Sequence, residues 1–136
     1  MLIRLLYISR AAGAITTTVT GSILESARVH NRVAGISGVL CQGQGLYIQV
    51  LEGERSTVNR LYNTIIKDKR HHDVELVAIE EIQARKFPNW SMAHVIISEN
   101  DPIVQSKHPE FDPFEASAEQ LQSLIDDLLK HATPIQ

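Results

Sequence analysis

The sequence of 136 residues is poor in several features, and their scarcity excludes whole classes of protein. A single cysteine, Cys41, permits no intramolecular disulfide, and the first residues lack the charged and apolar regions of a secretory signal peptide. We therefore expect a cytoplasmic protein. No apolar run approaches the ~18 residues that a membrane-spanning helix needs. The net charge of -3 argues against a general nucleic-acid binder.

The sequence also lacks the short motifs of common active sites. It contains no glycine-rich dinucleotide or phosphate loop, no HExxH or CxxC metal motif and no GxSxG nucleophile motif. The adjacent His71 and His72 point in different directions and have no partner at ligand spacing, so we predict no metal site. A hydrolase of the acylphosphatase type needs an anion-binding loop at a helix start, which the segments before residues 19 and 56 lack. We therefore expect a protein that is not an enzyme.

What remains is an ordinary globular composition, 43% hydrophobic and 21% charged, in a chain of single-domain length. The charge is unevenly distributed. Residues 1–98 carry a net charge of +3, whereas residues 99–136 carry -6. We predict one domain over residues 1–98, followed by a linker and helical tail over residues 99–136 that is not a separate domain.

Apolar periodicity and turn residues predict the order β-α-β-β-α-β-β. The predicted helices span 19–31 and 56–68, the second capped by Ser56 or Thr57. The predicted strands span 2–8, 36–42, 46–52, 74–83 and 92–98. This order predicts an α+β fold, a ferredoxin-like βαββαββ sheet with both helices on one face.

The tail provides a cover for the second face of the sheet. Strand 46–52 is apolar on both faces, so something must cover both. After an irregular linker over 99–116, a helix over 117–131 begins at Ser117 and carries an apolar stripe. We predict that this C-terminal helix packs on the face opposite the other two helices, or against another subunit.

Four polar side chains do not fit a purely structural interpretation. Tyr7 interrupts an aliphatic strand face, and Gln49 lies in the middle of a buried strand, where a carboxamide must find partners. Asn31 ends the stripe of the first helix, and Arg70 lies just past the second. Small residues of the first helix leave space between these polar side chains. The pattern predicts a pocket lined by a few placed polar groups, whereas Cys41 is interpreted as a small core residue.

These residues resemble the BLUF domain, the family of blue-light sensors that use FAD. No single string of residues is specific for the family, but the ordered set with its spacing is, and it covers essentially all of residues 2–98. The matching strings are RLLYIS (4–9), SARVHN (26–31), GISGVL (35–40), QVLEGE (49–54), KDKRHHDVEL (67–76) and RKFPNWSM (85–92).

The resemblance implies that a flavin ring lies between the two helices. Tyr7 matches the photoactive tyrosine of the family and Gln49 its switching glutamine. Asn31 matches the asparagine that hydrogen-bonds the flavin C4 carbonyl and N3 edge, and Arg70 the arginine near the C2 carbonyl. Trp90 and Met92 match the residues linked to signal output, and Ile23 and Ile65 the aliphatic residues on either side of the ring. Positions around the ring edge, ribityl chain or phosphate correspond to Arg28, His30, Asp68 and His71.

The implied function is that of a blue-light photoreceptor that binds FAD non-covalently, with FMN and riboflavin as alternatives. Light-driven electron and proton transfer from Tyr7 to the flavin rearranges the hydrogen bonds of Gln49, by rotation or tautomerisation, and gives a reversible red-shifted signalling state. The expected partners are the flavin, further copies of the chain and a separate downstream regulator protein, with no nucleic acid and no membrane. The alternative is a ferredoxin-like ligand-binding or oligomerisation module without flavin.

Two positions depart from the family pattern. Many members have an aromatic residue where Gln42 stands, and many have Phe where Tyr47 stands. Because Tyr47 shares a strand face with Gln49, it is either a second electron donor or an aromatic residue that only packs on the sheet.

Overall fold

The computed structural model describes residues 1–13, 17–97 and 112–131. Most of the predicted linker therefore lies outside the described residues. Within them, the elements follow the predicted order: β1 (Leu2–Ala11), α1 (Thr17–Ala34), β2 (Ser37–Gly43), β3 (Leu46–Glu54), α2 (Arg55–Ile66), β4 (His71–Glu81), β5 (Ala93–Ile96) and a C-terminal helix α3 (Ala118–His131).

The strands form one sheet in the order β4-β1-β3-β2-β5. β3 is antiparallel to both of its neighbours, β1 and β2, and β4 pairs antiparallel with β1. β5 adds to the far side of β2 in parallel. The predicted α+β, ferredoxin-like arrangement with one additional strand is confirmed.

One face of the sheet packs against α1 and α2. Leu5 of β1 and Leu51 of β3 lie in a buried cluster with Leu24 of α1 and Val58 of α2. Alternate residues of the same strands point to the other face, because side chains alternate along a strand.

That second face packs against α3. Leu124 and Ile125 lie in one buried cluster with Ile48 and Val50 of β3. The predicted position of the C-terminal helix opposite the other two helices is confirmed. Its start is also as predicted, since the backbone N–H of Gln120 donates to the hydroxyl of Ser117 at 3.1 Å.

Some element boundaries differ from the prediction. The N-cap of α2 is Glu54, which makes no side-chain capping bond, so the predicted caps at Ser56 and Thr57 are wrong. β4 begins at His71 rather than at residue 74. The register between β1 and β4 shifts near this end, and Asp73 has a φ of 51°, so the edge strand β4 is bulged here.

The connection between β4 and β5 is fixed by buried polar contacts. The fully buried carboxylate of Glu52 accepts hydrogen bonds from the backbone N–H groups of Lys86 and Phe87, at 3.0 and 2.7 Å, and pairs with Arg4 at 2.8 Å. Lys86 then reaches Asp126 of α3 at 2.6 Å. This segment therefore links the sheet to the C-terminal helix.

None of the helices within the described residues is long and apolar enough to cross a membrane.

Candidate functional site

A cavity of about 220 Å³ lies between α1, α2 and the sheet. Nine of the twelve predicted site residues line it, and they come from both helices, from β1, β3 and β4, and from the turn after α2. They are Tyr7, Ile23, His30, Asn31, Gln49, Ile65, Asp68, Arg70 and His71.

Tyr7 and Gln49 form the floor of this cavity. They face each other directly across the antiparallel pair of β1 and β3, so both side chains point to the helix face. The Tyr7 hydroxyl donates a short hydrogen bond to Oε1 of Gln49. Nε2 of Gln49 donates in turn to the sulphur of Met92 at 3.2 Å. The carboxamide is thus held between a phenol and a thioether.

Burial sets the protonation state of Tyr7. The side chain is only 3% exposed, and desolvation raises its pKa far above the ordinary value for a phenol. Tyr7 is therefore neutral at physiological pH, with its proton directed at Gln49. The ring of Tyr62 packs beside it at a centroid distance of 5.8 Å.

Asn31 presents an unpartnered acceptor to the cavity. Its Nδ2 donates to the carbonyl of Ser91 at 2.7 Å, which fixes the orientation of the amide. Its buried Oδ1 has no hydrogen-bond partner within the described part of the chain. A ligand with an N–H group at its edge would satisfy this atom.

Arg70 and Asp68 form a charged pair at the wall of the cavity. Nε of Arg70 lies 3.0 Å from each carboxylate oxygen of Asp68. This hydrogen bonding lowers the pKa of the Asp68 carboxyl below its ordinary value. The guanidinium also reaches the hydroxyl of Ser22 at 3.4 Å, so α1 is linked to the turn after α2 beside the cavity.

His71 is oriented by two hydrogen bonds. Its Nδ1 lies 2.8 Å from the hydroxyl of Ser9, and its Nε2 lies 2.6 Å from the carbonyl of Ile65. Because a carbonyl can only accept, Nε2 carries the proton. No group of His, Cys, Asp or Glu residues able to hold a metal ion occurs among the residues that the structure describes.

The three remaining predicted residues do not line the cavity. Arg28 donates from Nε to the backbone carbonyl of Met92 at 3.2 Å. The side chain of Met92 is fully buried against Gln49, on the helix face. Trp90 packs against the cluster on the opposite face and stacks on Phe87 at 5.6 Å. Of the two residues predicted to take part in signal output, Met92 is therefore the one that contacts the cavity floor.

Several cavity residues were not among the predicted site residues. Leu61 and Thr64 of α2 lie one helical turn apart and line the cavity beside the predicted Ile65. This i, i+3, i+4 spacing could have identified them. Leu40 and Tyr47 line the cavity from β2 and β3, where the strand alternation already placed Tyr47 on the face of Gln49.

The fold and the cavity together define a class of α+β domain that encloses a cavity between two helices and a sheet. Comparison with known proteins makes this specific. The family described as sensors of blue-light using FAD, BLUF, matches residues 2–93. The chain therefore belongs to the BLUF family of flavin-dependent blue-light sensors.

Relatives and solved structures agree with this assignment. The chain is 40% identical over 86 residues to photoactivated adenylate cyclase subunit alpha of Euglena gracilis, a match that covers 63% of this chain and only 8% of that relative. The photo-activated state of BlsA has a TM-score of 0.87 at 29% identity and covers 100% of this chain and 99% of its own. The dark state of BlrB, a BLUF protein, has a TM-score of 0.79 at 29% identity and 94% coverage of both chains.

The residues of the cavity fit a flavin. The isoalloxazine ring carries an edge with both an N–H donor and carbonyl acceptors. The unpartnered Oδ1 of Asn31 matches the donor, and the amide of Gln49 can donate to an acceptor. Ile23 of α1 and Ile65 of α2 provide apolar walls on two different helices for a flat aromatic ring.

Proposed function

We propose that this protein is a blue-light photoreceptor in which Tyr7 and Gln49 perform the photochemistry of a non-covalently bound FAD. The observation that carries the proposal is the hydrogen-bonded chain from the Tyr7 hydroxyl through Gln49 to the sulphur of Met92. This chain connects Tyr7, which can be oxidised, with Gln49, which can rearrange, at the floor of a cavity that fits a flavin.

The residues that would hold the flavin are those that line the cavity wall. Asn31 would hold the N–H and carbonyl edge of the ring, and Arg70 a second carbonyl. Ile23 and Ile65 would lie against the two faces of the ring. His30, Asp68 and His71 would provide the remaining contacts to the ring edge, ribityl chain or phosphate, whereas Arg28, predicted with them, lies outside the cavity lining. Binding through hydrogen bonds and apolar contact needs no covalent bond, and the thiol of Cys41 is buried, with a pKa raised to about 12.

Bound flavin supplies light absorption and, when excited, a strong oxidant. Tyr7 would give up one electron to it. The phenolic proton would pass at the same time to Oε1 of Gln49, because that atom already accepts the Tyr7 hydrogen bond. The proton and the electron return to Tyr7 when the charges recombine, so the cycle consumes nothing.

Gln49 would remain changed after recombination. Rotation by a half-turn would bring Nε2 towards Tyr7 and Oε1 towards Met92, and tautomerisation would change the proton count on both atoms. Either event alters the group that faces the Met92 sulphur, which can accept a hydrogen bond but cannot donate one. The rearranged amide would donate to the flavin carbonyl, which accounts for a red-shifted state.

We further propose that the signal leaves through the segment between β4 and β5. Met92 contacts Gln49 on one face, and Trp90 of the same segment packs on the other. The segment is tied to α3 through the Lys86–Asp126 pair. A separate regulator protein, or a second copy of the chain, would recognise the changed α3 face, with residues 1–98 as the sensor unit.

The proposal is tested by adding FAD to the purified protein and illuminating it with blue light. We expect a yellow protein whose absorption shifts to the red and recovers in the dark. Tyr7→Phe should bind FAD but lose the shift. Tyr62→Phe removes a neighbouring hydroxyl outside the cavity lining and should retain it. A protein that stays colourless with FAD would instead support the flavin-free ligand-binding alternative, and a full photocycle in Tyr7→Phe would refute the assigned donor.

A further inference from the structure

Tyr47 carries a buried hydroxyl that the proposed photochemistry does not use. The residue is 2% exposed and lines the cavity. Its hydroxyl oxygen has no hydrogen-bond partner within the described part of the chain. It lies two positions before Gln49 on β3, between Ser9 of β1 and Gln42 of β2.

An unpaired phenol in this position is unusual. Buried tyrosine hydroxyls ordinarily find a partner, because removing the group from water without one is unfavourable. Desolvation also raises the pKa of Tyr47, so the hydroxyl stays protonated and can donate. A protonated donor on a residue that lines the cavity, with no acceptor among the described residues, calls for an acceptor on the ligand.

The surroundings of Tyr47 argue against a role as electron donor. Oxidation of a phenol is favourable only when its proton can leave, and Tyr7 has Gln49 for that purpose. The ring of His71 lies beside Tyr47 at a centroid distance of 6.3 Å, and both of its nitrogens are already hydrogen-bonded to other groups. The charged side chains on this side of the cavity are Arg70 and Asp68. A guanidinium cannot accept a proton, and the carboxylate of Asp68 is already occupied by Arg70.

Resting on the proposed flavin function, we propose that Tyr47 is a cofactor-positioning residue whose hydroxyl donates a hydrogen bond to an acceptor atom of the bound flavin. It acts in the dark state and takes no part in electron transfer.

The proposal predicts opposite effects of Tyr47→Phe on the two forms of the protein. With FAD, one donor is lost, so the dissociation constant should rise roughly threefold to tenfold. Without FAD, the variant loses only an unsatisfied buried hydroxyl, so its melting temperature should equal or exceed that of the wild type. If Tyr47 only packed on the sheet, Tyr47→Phe would not weaken FAD binding while keeping or raising the melting temperature of the FAD-free protein.

The experiment combines FAD titration, thermal unfolding with and without FAD, and infrared spectra of the flavin carbonyl bands in the dark. Tyr62→Phe is the matched control and should leave all three unchanged. Support requires weaker FAD binding, a shifted carbonyl or ring band and an unimpaired red shift under blue light. Wild-type affinity together with an unchanged dark spectrum would overturn the proposal, as would loss of the light response, which would make Tyr47 an electron donor. Failure of the wild type itself to bind FAD would overturn the flavin function as well.

Discussion

Both faces of the sheet bury apolar side chains, but they are built differently. The face under α3 is a continuous cluster of aliphatic residues from β1, β2, β3 and β5. The face under α1 and α2 encloses a cavity, and two buried polar atoms that line it, Asn31 Oδ1 and Tyr47 OH, have no partner among the described residues.

This difference separates stability from binding within one small domain. A close-packed apolar face stabilises the fold without any ligand, because each buried methylene contributes and no polar group is left unpaired. The cavity face gives up part of that packing, and a ligand recovers it by filling the space and pairing the polar atoms. A BLUF domain can therefore fold around a site whose contacts are completed by its cofactor.

The largest expected effect comes from removing a side chain from the packed face. Leu124 of α3 is fully buried, so Leu124→Ala should lower the free energy of unfolding by about 2–5 kcal/mol. FAD affinity, measured on the folded fraction, should stay the same. Chemical denaturation followed by circular dichroism gives the free energy, and a fluorescence titration gives the affinity.

Leu61→Ala provides the matched change on the other face. Leu61 lines the cavity and is only partly buried, so its truncation should cost less than that of Leu124 and should weaken FAD binding instead. Equal losses of stability in the two variants, with affinity unchanged in both, would contradict the division between the faces.

Much of this contrast could be predicted from residue patterns. Because β3 is apolar on both faces, both faces of the sheet had to be covered. The apolar stripe of the C-terminal helix predicted one of these two covers. Alternation along β3 also placed Tyr47 and Gln49 on one face. These features depend on local periodicity, which the sequence carries directly.

Features that depend on irregular backbone were less accessible. In a regular strand, Trp90 and Met92 would share a face, because they lie two residues apart. The strand begins only at Ala93, and the irregular segment before it places the two side chains on opposite sides. Similarly, the α2 cap was mispredicted because Glu54 ends β3 immediately before the helix, without a side-chain cap.

An intermediate effect is expected for Asn31, whose unpartnered oxygen faces the cavity. Asn31→Ala removes that acceptor and should raise the dissociation constant for FAD roughly tenfold. Asn63→Ala changes the same residue type on the exposed side of α2 and should leave the affinity at the wild-type value. Titration of both variants with FAD gives the two dissociation constants, and equal values would mean that Asn31 does not contact the flavin.

The smallest effect concerns acid stability at the rim of the cavity, where Asp68 pairs with Arg70. Hydrogen bonds from Arg70 hold the pKa of the Asp68 carboxyl below its ordinary value near 3.8, whereas unfolding restores that value. The folded state therefore binds fewer protons than the unfolded state in this range. The resulting stabilisation is fully present above pH 3.8 and disappears as the pH falls through the folded-state pKa.

Asp68→Asn should accordingly be slightly less stable than the wild type near neutral pH, and the difference should shrink as the pH falls below about 3.8. Urea denaturation at a series of pH values from neutral to acid measures this difference. Asp73→Asn is a suitable control because Asp73 is exposed and pairs with two exposed side chains, His72 and Arg10. If the difference in stability between Asp68→Asn and the wild type grew towards acid pH, Arg70 would not depress the pKa of the Asp68 carboxyl. The Asp68–Arg70 pair would then behave like an ordinary surface ion pair and not like a part of the binding site.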